Sequence, residues 1–304
     1  MAVINTSTFA KALWPGVNAW YGKAYAEKPT EYTQIFKTHS MGKRAFVQDV
    51  GLSGFGLAVV KPEGQGYTYD TEAQGFTTTY RPVTYGLGFV VTREAFEDDQ
   101  YDVVAPRRAR ELAFSMRQTK ETIAANILNR AFNSSYVGGD SKELCATDHP
   151  NRAGGTWRNE LSTAADLSEA ALEQAYLDIA AFTNDRGLKI AVRPQKLVIP
   201  PALEFEAMRV LKTVGRVGTD LNDINAVKEM GMFPGGMVVN HYLTDSDAWF
   251  ILTDVPEGLK HYERRADEFN MDNDFDTENA KFKASGRYAF GWTDPRCIFG
   301  SPGA

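Results

Sequence analysis

The chain has 304 residues, 43% of them hydrophobic, 12% aromatic and 24% charged, with a formal charge of −6. That is enough apolar material for a sizeable core, and the length favours two domains. No apolar run approaches the roughly 20 residues of a membrane span, and an acidic chain without a basic stripe excludes the usual nucleic-acid-binding surface.

Residues 1–46 carry Lys11, Lys23, Lys28, Lys37, Lys43 and Arg44 against only Glu27 and Glu31. Lys11, Pro15, Asn18 and Lys23 interrupt every apolar stretch there, so the segment reads as an arm and not as a signal peptide. Cys145 and Cys297 lie too far apart to make a disulfide framework, which fits folding in a reducing cytoplasm. Between Asp267 and Glu278 lie six acids and no base. These opposed charges are either two solvated surfaces or an arm and a docking surface that attract one another, between subunits included.

From Val83 the apolar side chains alternate through Tyr85, Leu87, Phe89 and Val91, the period of a half-buried strand. Phe76 and Tyr80 sit in the opposite phase, and Pro82 marks the switch as a bulge or an edge position. Upstream, FVQDVGLSGFGLAVV reads as an outgoing limb and KPEGQGYTYD as a soft, glycine-rich tip. The pattern predicts one long β-hairpin over 47–91. A two-stranded ribbon is marginal alone in water, so it needs support from something else.

Ala105, Ala109, Leu112, Met116, Ile123, Ile127 and Ala131 advance by three, four or seven residues and form one apolar stripe. Pro106 suits the first turn and Gly138 and Gly139 lie beyond the end. The stripe predicts about 26 helical residues, roughly 39 Å long. A second helix is predicted over Leu167–Asn184, capped by Asp166 in preference to Ser168. KLVIPP reads as a buried strand stopped by prolines, ALEFEAMRVLKT as a helix, and GGMVVNHYLTDSDAWFILTD as strand, turn, strand. The closing segment alternates again, with Phe282, Ala284, Gly286, Tyr288 and Phe290 on one face.

Candidate chemistry is sparse. EDDQYD, Glu97 to Asp102, sets four acids just before the long helix, where the helix dipole and free backbone N–H groups favour them. A metal would need further ligands that the sequence does not nominate, so the stretch reads as capping and surface charge. DNDFDTEN begins like a calcium loop with Asp272, Asp274 and Asp276, but Thr277 stands where glycine is required and Lys283 where the last glutamate belongs. Cys145 and His149 in CATDHPN fall short of a four-ligand zinc site and lack the third group of a nucleophile pair. Phosphate loop, dinucleotide fingerprint and serine elbow are absent. The expectation is a chain with no catalytic, cofactor or metal site.

Taken in order, VVTREAFEDDQYD, TKETIAANILNRAF, GGDSKELCATDHPN, LVIPPALEFEAM, YLTDSDAWFILTD and RYAFGWTDPRCIFGS resemble the major capsid proteins of tailed bacteriophages, most closely the phage Mu major head subunit family. The likeness spans nearly the whole chain. It implies an α+β, Hong Kong 97-like capsid fold: an N-terminal arm (1–46), an extended β-hairpin loop (47–91), a peripheral domain with a spine helix (92–184), an axial domain (185–262) and a closing strand returning to the peripheral domain (263–304). The function it implies is a non-enzymatic head protein that self-assembles into an icosahedral shell around the phage genome, resident in the virion and assembled in the host cytoplasm.

The implied partners are other copies, as hexamers and pentamers, with scaffolding, portal and, in heads that bear them, decoration proteins. Double-stranded DNA would be enclosed without sequence-specific binding, and no membrane or cofactor is implied. Because the loop would cross a neighbouring subunit, the expected inter-subunit contact residues are Lys61, Glu63, Tyr67, Tyr69 and Arg81 in the loop, Lys11 and Lys23 in the arm, and Arg107 and Arg108 on the spine helix. The loop starts by residue 47, which points to a separate scaffolding protein, and nothing identifies a cross-linking partner for Lys61. Two rivals remain: a bacterial nanocompartment shell of the same fold, and a metal-dependent hydrolase using EDDQYD and His149.

Overall fold

The computed structural model describes residues 21–26, 29–72, 74–92, 94, 101–152, 154–215, 224–256, 258–273 and 279–304. In chain order the elements are β1 (Lys37–Ser40), β2 (Val47–Leu52), β3 (Gln74–Tyr80), β4 (Val83–Val91), α1 (Tyr101–Asn129), β5 (His149–Pro150), β6 (Thr156–Trp157) and α2 (Glu169–Ala180). Then follow β7 (Pro194–Ile199), α3 (Glu204–Lys212), α4 (Ala226–Glu229), β8 (Met237–Val239), β9 (Trp249–Thr253), β10 (Leu259–Asn273), β11 (Ala280–Trp292) and β12 (Ile298–Ser301). Among the described residues no helix is long and apolar enough to cross a membrane.

Two four-stranded sheets carry the cores, one ordered β1-β10-β11-β4 and the other β12-β9-β7-β8, while β2–β3 and β5–β6 form separate pairs. Period-two alternation splits the second sheet's side chains between two cores. Leu197, Ile199, Trp249 and Ile251 point towards Leu172, Ala175 and Ile179 of α2. Their neighbours Val198 and Phe250 point the other way, towards Ala124, Leu128 and Ala131. The first half of α1 lies on the other sheet, with Ala109, Leu112, Ala113 and Met116 against Val91, Phe269, Phe282 and Ala284. One helix therefore binds both sheets into a single body.

The buried face of α1 differs from the predicted stripe in its middle. Past Met116 it passes through Arg117, Lys120 and Glu121 to Ala124, while Ile123 is only half-buried and lines a shallow surface depression with Phe114. Polar groups survive there because partners meet them. Lys120 donates to Glu263 at 3.0 Å, and the Glu121 carboxylate accepts the backbone N–H groups of Glu31 and Tyr32 at 2.8 and 3.0 Å.

Two further expectations change. The hairpin is shorter than predicted: β2 pairs with β3, whereas β4 leaves the ribbon after buried Pro82 and pairs with β11. Ser168 caps α2 by accepting the Ala171 N–H at 3.2 Å, and Asp166 instead accepts the Ala304 N–H at 2.9 Å. The expected strand, turn, strand over 235–254 is present as β8 and β9, with β7 lying between them, parallel to β8 and antiparallel to β9. The 15-residue β10 went unpredicted because register shifts between Glu263 and Glu268 break its alternation.

Candidate assembly surfaces

The ribbon is built on the β2–β3 pair, with Val47 opposite Tyr80 and Leu52 opposite Gln74. At its register shift the two limbs approach so closely that a Cβ on Gly75 would lie 2.7 Å from the Gly51 carbonyl oxygen. Glycine is required there. Beyond this point the described residues 53–72 form no helix or strand, and Phe55, Leu57, Val59, Val60, Tyr67 and Tyr69 are exposed, Val60 and Tyr69 at 92%. Six exposed apolar side chains in one stretch are the kind of surface that marks an interaction site. Lys61 Nζ sits over the Tyr67 ring at 4.6 Å, and Glu63 is exposed in the turn closed by Gln65 N–H to the Pro62 carbonyl.

The ribbon's base is fixed by Asp49. Its carboxylate accepts from Lys260 Nζ at 2.6 Å, from the Tyr262 hydroxyl at 2.8 Å and from the Thr293 hydroxyl at 3.0 Å. Burial alone would raise this carboxyl, but the bonds from Lys260, Tyr262 and Thr293 outweigh it and hold it below the usual carboxylate range. Asp49 lies 211 residues from Lys260, so no local pattern could have revealed it.

The remaining expected contact residues fall elsewhere. Arg81 is exposed in the crossover from β3 to β4. On the exposed side of α1, Arg107 pairs with Glu111 at 3.2 Å and Arg108 donates to the Val90 carbonyl of edge strand β4 at 3.1 Å. Lys23 is exposed in a helical turn where Tyr21 stacks on Phe269, ring centroids 4.8 Å apart, and Tyr25 donates to Asp267 at 2.5 Å. This stretch of the arm thus folds onto the acid-bearing strand of its own chain. Lys11 lies outside the described residues. Tip, crossover, helix and arm are four separate segments, and within the tip Lys61 contacts Tyr67 directly.

The stretches weighed for chemistry resolve as follows. Of EDDQYD, Glu97 to Gln100 lie outside the described residues, while Tyr101 and Asp102 open α1. Asp272 lies near the end of β10, and Asp274, Asp276 and Thr277 lie outside the described residues. His149 is fully buried, with Nδ1 2.7 Å from the Asp140 carboxylate, Nε2 3.0 Å from Asn159 Oδ1, and its ring stacked on Trp157. Both ring nitrogens face protein partners. Cys145 and Cys297 are free, and burial pushes both thiols well above their ordinary range, which suppresses the reactive thiolate. Among the described residues no three His, Cys, Asp or Glu side chains are grouped to hold a metal.

Residues 75–300, well over half the chain, match the sequence profile of the family described as phage capsid protein. The chain belongs to the phage capsid protein family. This capsid protein is a major shell subunit, and the family match favours a phage head over a nanocompartment. No curated protein matches it in sequence. Its fold is shared by the capsid of cyanophage P-SCSP1u, at 10% identity over 90% of this chain and 88% of that one, TM-score 0.59. The mature capsid of bacteriophage PhiM1 is similar at 14% identity over 90% and 86%, TM-score 0.58. A virus-like particle from Pyrococcus furiosus is similar at 14% identity over 94% and 98%, TM-score 0.53. At these identities the likeness concerns the fold, and it is the α+β, Hong Kong 97-like capsid fold that the sequence order implied.

Proposed function

We propose that this capsid protein forms hexamers and pentamers of a phage Mu-like head, assembled in the host cytoplasm with separate scaffolding and portal proteins around double-stranded DNA. The observation that carries the reading is the ribbon: a firmly anchored base and an apolar tip with almost nothing of its own chain to cover it. A tip of that kind gains its stability on a sister subunit, where each copy repeats the same contact and many modest interfaces add up to a shell. In this scheme the ribbon, residues 47–80, serves as the extended loop, β4 with 92–184 and 263–304 as the peripheral domain, 185–262 as the axial domain and 1–46 as the arm. Lys61, Glu63, Tyr67, Tyr69 and Arg81 meet a neighbour, with Lys11, Lys23, Arg107 and Arg108 at flanking contacts. The subunit has no enzymatic role. A net charge of −6 keeps packaged DNA loosely held.

The test is negative-stain microscopy of the chain expressed alone and with its scaffolding partner, followed by analysis of what the particles enclose. Closed shells that take up DNA in an infected cell support the reading. Shells that hold a cargo enzyme and no DNA return the nanocompartment, and a chain that stays monomeric under both regimes overturns the proposal.

A further inference from the structure

Between Asp49 and its tip the ribbon does not pack flat on the body. It spans a cleft of about 630 Å³ with Val50, Leu52 and Phe76 on the ribbon side and Asp185, Val255 and Arg296 on the other. Arg152 lies over the Phe76 ring of the ribbon at 5.7 Å, and on the far side of that cleft a second side chain reaches back. Arg186 Nη1 meets the Asp70 carboxylate at 2.6 Å and its Nη2 donates to the Thr71 carbonyl. The same Asp70 oxygen accepts the Gly56 N–H at 2.8 Å, so a single carboxylate joins the outgoing limb, the return limb and the body. A Cβ at Gly56 would crowd both, at 3.3 Å from Asp70 and 3.4 Å from Arg186.

Arg186 is presented from a stiff turn. The Asn184 side chain accepts the N–H groups of Arg186 and Leu188, each at 2.9 Å, and Asn184 N–H donates to the Leu188 carbonyl at 2.8 Å. We infer that Arg186 is a strap that holds the ribbon down on its own subunit, and that releasing it lets the ribbon swing about the Asp49 anchor. The two attachments differ in strength for a physical reason. At the anchor, Lys260 is buried and Asp49 is held by three side chains at once. The strap joins a half-buried arginine to an exposed carboxylate, so it is more open to water and salt than the anchor and belongs nearer the class of pairs that contribute little. Asp49 therefore acts as pivot and Arg186 as release.

The inference concerns the free subunit, so its failure would leave shell formation untouched. Hydrogen exchange of the unassembled chain, separated from particles by size exclusion, tests it. Arg186→Ala should speed exchange of residues 53–56 and 70–76 by about two- to fivefold, the range open to a surface pair, with β10 and β11 unchanged. The exchanged pair, Arg186→Asp with Asp70→Arg, should recover part of the protection that either change alone loses. If the variants do not fold, raising the salt on the unaltered chain should produce the same local acceleration by screening. Unchanged exchange in 53–76, or equal acceleration across β10 and β11, overturns the strap.

Discussion

His261 sits on β10 with its ring stacked on Phe290 at 4.4 Å and Nδ1 3.2 Å from the Thr38 hydroxyl, while buried Nε2 has no partner. Burial first, and the nearby Lys120 charge second, push its pKa down to about 3. The ring is therefore neutral in the fold, whereas the unfolded chain takes up a proton below about pH 6.5. Unfolding absorbs that proton between the two values, so stability falls as pH drops through the window and the contribution levels off below about 3. Asp49 is shifted the same way, downward, and acts in the same direction. Its depressed carboxyl stabilises above the ordinary carboxylate pKa, and that support is lost as pH falls through the lower, folded value. The histidine can be isolated above the carboxylate range. His261→Phe should keep the ring packing and flatten the pH dependence of thermal melting between about pH 6.5 and 5, compared with the unaltered chain. Parallel slopes in that interval would contradict the assignment.

At the scale of the element, α1 shows what periodicity reveals and what it conceals. Its length and most of its core face follow from the apolar spacing, with Ala109, Leu112 and Met116 buried as predicted and Ala131 buried just past its end. The middle of the face does not, because Lys120 and Glu121 look like surface charges until Glu263 and the Glu31–Tyr32 backbone are placed beside them. Chemical denaturation separates the two versions of the stripe. Leu128→Ala, at a position 1% exposed between the sheets, should cost about 2–5 kcal/mol. Ile123→Asp should cost less than about 1.5 kcal/mol, since its side chain already borders solvent. The reverse order would mean that the face of α1 has been placed wrongly.

For the whole molecule, the division between a rigid body and a reaching ribbon predicts a clean separation of folding from assembly. Replacing 57–69 with a short Gly-Ser turn keeps Gly56, Asp70 and the strap while removing the exposed tip. The shortened chain should melt like its parent and fail to form particles in sedimentation and microscopy. Normal particles would show that the tip is not an assembly contact.

By itself the sequence determined the strands with clean alternation, the long helix, the order of elements and the family, because each of these is written in neighbours a few residues apart. It also showed an absence of motifs arranged for chemistry. Only the tertiary structure decided that β4 joins β11 and not the ribbon, that Glu121 receives a backbone 90 residues away, and that Asp49 and Arg186 attach the ribbon across 211 and 116 residues. A charge carries no local mark of its distant partner. Its role appears only when burial removes the water that would otherwise satisfy it.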